Sequence, residues 1–206
     1  MKHIDCYLDF ISPYAYLAFE QLPRALEGLS YEVSYRPILF AGLLKHHGQL
    51  GPAEIGPKRD WTYRRVRWQA RALGVPLELP AAHPFHPLGL LRLAWAAARQ
   101  GTPSRYVCES LFHHVWRGGA LADDAARLAA LTERLAPARD SAGEAVKQDL
   151  RAATDAVARA PAEADLVKQR IGLFQIEAGP GLRIFRTKQR AFRQHGVGAF
   201  LGQAVE

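Results

Sequence analysis

Sulfur is scarce in this chain, which holds two cysteines, Cys6 and Cys108, and one methionine. The cysteines lie far apart, one in a strand-like run and one in a helical run. That excludes the disulfide framework of a small secreted domain, and both read as reduced core residues. No stretch of about 18 apolar residues occurs, so no transmembrane helix is expected. The first residues run straight into a strand pattern without the basic and apolar regions of a signal peptide, so a cytoplasmic location is expected. There is no repeat or low-complexity linker. Cysteine and carboxylate clusters are missing beside the histidines as well. His46/His47 and His113/His114 are adjacent pairs on helical segments, where neighbours point about 100° apart. His83 and His86 sit in a Pro-rich bend. None completes a tetrahedral set, so no metal site is expected.

Acidic charge is also in short supply: 27 Lys and Arg stand against 20 Asp and Glu, a net +7. Residues 166–206 carry most of that excess, with seven Lys or Arg against only Glu177 and Glu206. No aromatic-interleaved or Gly-flanked recognition pattern accompanies them. A solvated basic helix face is therefore expected, and nucleic acid is not expected as a partner.

What is present is enough for a sizeable core. A chain of 206 residues that is 49% hydrophobic suits one domain, or one domain with a large insertion. The most informative segment is Asp9-Phe10-Ile11-Ser12-Pro13-Tyr14-Ala15-Tyr16-Leu17. It follows the apolar run 4–8 and opens an amphipathic stretch reaching about residue 26. Strand, hydroxyl-bearing turn, proline and helix in that order place Ser12 at a helix N-terminus. Unpaired N–H groups and the positive end of the macrodipole gather there and favour an anion such as a thiolate. With Cys-Pro-x-Cys the same layout would be a disulfide oxidoreductase. Here Ser12 and Ala15 occupy both sulfur positions, so a thiol would have to arrive on a ligand. By the local pattern alone a plain N-cap serine is the commoner case.

The order of elements reads β-α-β, a long helical middle, then a β-hairpin and a helix. Strands are expected at about 3–8 and 31–36, with a helix at 13–26 between them. Apolar residues at helical spacing mark 58–73, 88–98, 104–116, 123–135 and 143–158, separated by Gly- and Pro-rich breaks. Short strands are expected at 171–177 and 182–185, and a basic helix from about Thr187. This predicts an α/β, thioredoxin-like domain with a core at about 1–50 and 160–206. An α-helical insertion at about 51–159 interrupts it.

The segment 9–17 resembles the opening motif of 2-hydroxychromene-2-carboxylate isomerases and kappa-class glutathione transferases, which belong to the wider DsbA-like thioredoxin superfamily. The run Tyr35-Arg36-Pro37-Ile38-Leu39-Phe40-Ala41-Gly42-Leu43-Leu44-Lys45-His46-His47-Gly48-Gln49 is similar to that family's segment after strand two. Pro57-Lys58-Arg59, then Tyr63, Arg67 and Gly74-Val75-Pro76, resemble the helix and exit that follow. His83-Pro84-Phe85-His86-Pro87 resembles its Pro-Phe-Asn segment with His86 in place of Asn, and Val115-Trp116-Arg117-Gly118-Gly119 resembles its Val-Trp turn. The likeness covers roughly residues 3–159.

The resemblance implies a glutathione-dependent isomerase of aromatic catabolism, acting on a small aromatic carboxylate, with glutathione as cofactor. It implies Ser12 as the catalytic residue, holding the glutathione sulfur, and Gln49 as a further glutathione contact. Lys45, Lys58, Arg59, His86 and Trp116 become candidates for substrate binding, the cations because the substrate is anionic. Members are often dimeric, so a homodimer is an implied partner. A kappa-like transferase and an inactive relative that only binds stay open as alternatives. The last is prompted by the C-terminus. The family has a Gly-Val-Pro with a cis proline before its third strand and a Trp-Gly with Asn or Ser and Asp at its last helix. Here Gly172-Leu173-Phe174 and Phe185-Arg186-Thr187-Lys188 stand in those places.

Overall fold

The computed structural model describes residues 1–159 and the backbone of Gln175–Ala178. Strand β1, Lys2–Leu8, alternates toward full burial at its end, where Cys6, Tyr7 and Leu8 are all enclosed. Helix α1 is Pro13–Ala25 and strand β2 is Tyr31–Pro37. The two strands pair in parallel, Lys2 beside Tyr31 through Leu8 beside Pro37, with α1 as the crossover. Strand β3, Gln175–Ala178, runs antiparallel on the other side of β1, giving the order β2-β1-β3. A strand from beyond the helical middle thus pairs with the first strand, as expected of a thioredoxin-like sheet. The expected strand at 182–185 and the helix from Thr187 lie outside the described residues.

Between β2 and β3 come α2 (Phe40–His46), a 3₁₀ turn at Pro52–Glu54, α3 (Gly56–Leu73), α4 (Leu88–Ala96), α5 (Arg105–Trp116), α6 (Ala125–Leu135) and α7 (Glu144–Ala158). The caps show why several of these start where they do. Ser104 and Asp124 accept hydrogen bonds from Val107 N–H and Arg127 N–H, three residues on. Helix α3 stops at Gly74, whose φ of 66° is the left-handed conformation that ends a helix at little cost for glycine. Helix α2 is short and has no buried residue, so its apolar pattern is too brief to stand out in the sequence.

The helical middle is bonded to the sheet rather than set apart from it. The Trp95 indole on α4 donates to the Pro37 carbonyl at the end of β2, and Thr154 Oγ1 on α7 accepts from the Leu39 N–H. The centre of the core is the α1–α5 contact. There Phe112 meets Phe10 edge-on at 5.0 Å and Phe19 at 5.1 Å, and Tyr16 stacks on Trp116. Such aromatic pairs add about 0.5–1.5 kcal/mol each beyond area burial. They fix the start of α1, and with it Ser12. No helix among the described residues is long and apolar enough to cross a membrane.

Candidate active site

Ser12 sits where the sequence places it, as the N-cap of α1, with Pro13 following at the first helical position. Its Oγ accepts from the Ala15 N–H at 3.2 Å, and the residue is only 2% exposed. The hydroxyl therefore keeps its own proton to donate. A second donor lies next to it, because the Tyr14 N–H is at the second helical position and has no carbonyl behind it in the helix. No acidic residue occupies the first turn of α1.

Four side chains frame the turn before Ser12. The fully buried Asp9 carboxylate accepts from Ile11 N–H at 3.1 Å and from Phe40 N–H at 2.9 Å, joining the turn to the start of α2. Burial outweighs those donors and pushes the Asp9 carboxyl up to about 7. The Trp116 indole N–H donates to the Phe10 carbonyl at 3.0 Å. His83 Nε2–H donates to the Ile11 carbonyl at 2.8 Å, and its Nδ1 accepts from the Tyr63 hydroxyl of α3 at 2.7 Å. With both ring nitrogens committed this way the imidazole is neutral, and burial lowers its pKa further. Both carbonyls that precede Ser12 are thus held by side chains from distant elements.

The remaining candidates fall into two groups. Lys45, Gln49, Lys58 and Arg59 are solvent-exposed on the last turn of α2, the loop after it and the first turn of α3. Arg59 lies 3.8 Å from its neighbour Asp60, an exposed pair of little energetic weight. His86 and Trp116 depart from the expectation. His86 is exposed, whereas His83, three residues earlier, turns inward and touches the Ser12 turn. Trp116 is fully buried, with Tyr16 stacked on it and His83 at 5.6 Å, so it supports the turn and offers no face to a substrate. Replacing Trp116 by Phe should then cost about 1–3 kcal/mol, because the Phe10 carbonyl loses its buried donor while most of the apolar volume is kept. Denaturant melts compared with the parent protein measure this.

The chain offers no thiol of its own here. Cys6 and Cys108 are buried, and burial pushes both thiols well above their ordinary range, which makes them inert. Glu20, Glu109 and His113 lie within 4.8 Å of one another, but the Glu20 carboxylate already accepts from His113 at 2.8 Å and Arg117 at 3.2 Å.

Residues 3–168 match the DSBA-like thioredoxin domain. Glutathione S-transferase kappa 2 of Caenorhabditis elegans is 30% identical over 80 residues, 38% of this chain and 36% of that protein. The 2-hydroxychromene-2-carboxylate isomerase of Pseudomonas putida is 29% identical over 135 residues, 64% of each chain. That of Sphingobium xenophagum is 31% identical over 118 residues, 56% of this chain and 58% of its own. The alignments therefore span from about a third to just under two thirds of these relatives' lengths. The solved structure of a selenomethionine 2-hydroxychromene-2-carboxylate isomerase superposes with a TM-score of 0.69 over 94% of this chain and 96% of that one. At 19% identity that likeness establishes the fold.

Proposed function

Because the chain belongs to the family of DSBA-like thioredoxin domains, with isomerases and kappa transferases among its relatives, we propose that it is a glutathione-dependent isomerase. Its reaction would interconvert 2-hydroxychromene-2-carboxylate and trans-o-hydroxybenzylidenepyruvate in the catabolism of naphthalene-type aromatics. One observation carries the reading: a buried serine that caps a helix, keeps its proton, and occupies the place where a cysteine would make a redox site. The turn fits a thiolate. It presents the Ser12 O–H and the Tyr14 N–H at a helix end with no acidic residue in its first turn, and the nearby Asp9 carboxyl, raised to about 7, carries only about half a charge at neutral pH.

Bound there, glutathione supplies the nucleophile, whose reversible addition to the conjugated substrate frees a double bond to rotate. The residues of the chain do the rest. Ser12 donates a hydrogen bond that holds sulfur in its anionic form, and need not attack anything itself. Asp9, His83 and Trp116 fix the three residues before it, so the donor is aimed before the ligand arrives. Gln49 contributes an amide to the peptide part of glutathione. Lys45, Lys58 and Arg59 take the substrate carboxylate, with His86 at the outer rim. Lys58 and Arg59 have a positional argument in their favour. They stand in the first turn of α3, where a cation opposes the macrodipole, so helix stability does not account for them. Trp116 acts only through the turn.

Transfer of glutathione to other electrophiles is the second reading, supported by the 30% identity to the kappa transferase across 80 residues. Calorimetric titration with reduced glutathione near neutral pH, followed by assay on the chromene, tests both. Millimolar or tighter binding with chromene turnover is the expected result. Turnover of generic electrophiles alone moves the assignment to the transferase. No glutathione binding and no turnover overturns both and leaves a non-catalytic protein that binds a partner or a different small molecule.

A further inference from the structure

Further along α1 from the Ser12 turn, α5 and α6 face each other across a cleft of about 470 Å³. Helix α5 contributes Ser110, His113 and His114 from one face, and Arg117, the residue that caps its C-terminal end, joins them. Helix α6 answers with Arg127, Leu131 and Arg134 on a matching face, the nearly buried Leu131 forming an apolar floor. Glu20, which flanks the cleft, lies eight residues along α1 from Ser12, about 12 Å by helical rise.

The charge in this cleft is one-sided. Among the described residues no carboxylate lines it. Glu20 bridges Arg117 and His113 from α1 and offsets part of their charge. Arg127 and Arg134 form no ion pair among the described residues. Arg127 instead donates to the Leu121 carbonyl and, at 2.8 Å, to the His114 carbonyl. Those bonds hold its guanidinium in the first turn of α6, where a cation opposes the macrodipole. Arg134, in the last turn, is well placed for the macrodipole, whereas Arg127 opposes it and is held there by its two carbonyl bonds. The His114 ring donates through Nε2 to the Ala122 carbonyl at 2.9 Å. Burial lowers its pKa; the bond to Ala122 and the charge of Asp124 work against that, and the charges of Arg127 and Arg134 add to it.

We propose that this cleft binds a multiply charged small oxyanion of the diphosphate class, independently of the Ser12 site. Arg127 and Arg134 are two helical turns apart, about 10 Å along α6 at the backbone, so their long side chains would have to converge on one anion, which favours a multiply charged one over a monovalent ion. The volume is that of a small-molecule site. The Ser110 hydroxyl adds a neutral donor on the opposite wall.

Titration of the full chain with inorganic pyrophosphate at constant ionic strength tests this by calorimetry. One saturable site is expected, with orthophosphate binding more weakly. Arg134 is exposed, so Arg134→Glu should fold normally and weaken pyrophosphate binding by about tenfold or more, the loss of a charge-assisted contact. Arg134→Lys should retain most of the affinity, and Lys58→Ala with Arg59→Ala should leave it unchanged. ADP binding more tightly than pyrophosphate would identify a nucleotide as the source of the diphosphate, and equal affinity a free polyphosphate. No saturable binding, or binding lost with the α3 substitutions and kept in Arg134→Glu, overturns the proposal.

Discussion

Replacing Ser12 by alanine should lower chromene isomerisation about a hundredfold or more while leaving the fold in place. The magnitude follows from removing one preorganised donor from a developing or bound anion, typically worth about two to three powers of ten in rate. The structural cost is smaller. The side chain caps α1 through a single bond to the Ala15 N–H, and losing such a cap costs about 1 kcal/mol. A second substitution separates the two effects. Ser12→Asp keeps an acceptor for the Ala15 N–H, so the helix cap survives, at the cost of a second carboxyl in a buried turn that already holds Asp9. It also puts a carboxylate where the thiolate belongs, so glutathione binding and turnover should both fall below those of the alanine variant. Initial rates, glutathione titrations and melting curves on the three proteins give the answer. Turnover in Ser12→Ala close to the parent would refute the thiolate-holding role.

The same turn shows what a one-dimensional reading can and cannot reach. Ser12 was legible because a cap is a local device: strand end, hydroxyl, proline and helix all lie within a few residues. The helices at 104–116 and 123–135 were legible from periodic apolar runs between Gly- and Pro-rich breaks, a signal that is also local. His83 was not. It and His86 share one Pro-rich bend, and nothing local says which ring turns inward. The choice is made by Tyr63, 20 positions earlier, and by the Ile11 carbonyl, 72 positions earlier. Trp116 failed in the same way. Its helix-end position suited a pocket wall, but its partner is the Phe10 carbonyl 106 positions away. The short α2 is set by the sheet edge and by Thr154 rather than by any amphipathic stripe of its own. The α5–α6 cleft was hidden too, because its charge comes from residues that each look like an ordinary solvated side chain.

Asp9 ties these strands of argument to a measurable quantity. It lies in the recognised motif, yet its consequence depends on burial, which the motif does not encode. Burial holds the carboxyl at about 7, against an ordinary value of 3.8, so across that interval the folded state binds a proton that the unfolded state has released. Stability contributed by this group is present at low pH and is lost as pH rises from about 4 through about 7. The interval of about 3 units corresponds to at most about 4 kcal/mol. His83 and His114 oppose this trend. Burial lowers both, so their neutral forms favour folding above the ordinary histidine range, and that support is lost as pH falls below it. The parent curve therefore mixes two slopes, and the comparison that isolates Asp9 is with Asp9→Asn. The amide keeps one acceptor for the Ile11 and Phe40 N–H groups and cannot titrate. It should be less stable than the parent at pH 5, and the gap should shrink steadily, or reverse, by pH 8. Denaturant unfolding of both proteins across that range provides the test. Parallel curves would mean that Asp9 is ionised throughout, its backbone donors outweighing burial. The turn before Ser12 would then carry a full negative charge at neutral pH, and a thiolate would be a poor guest beside it.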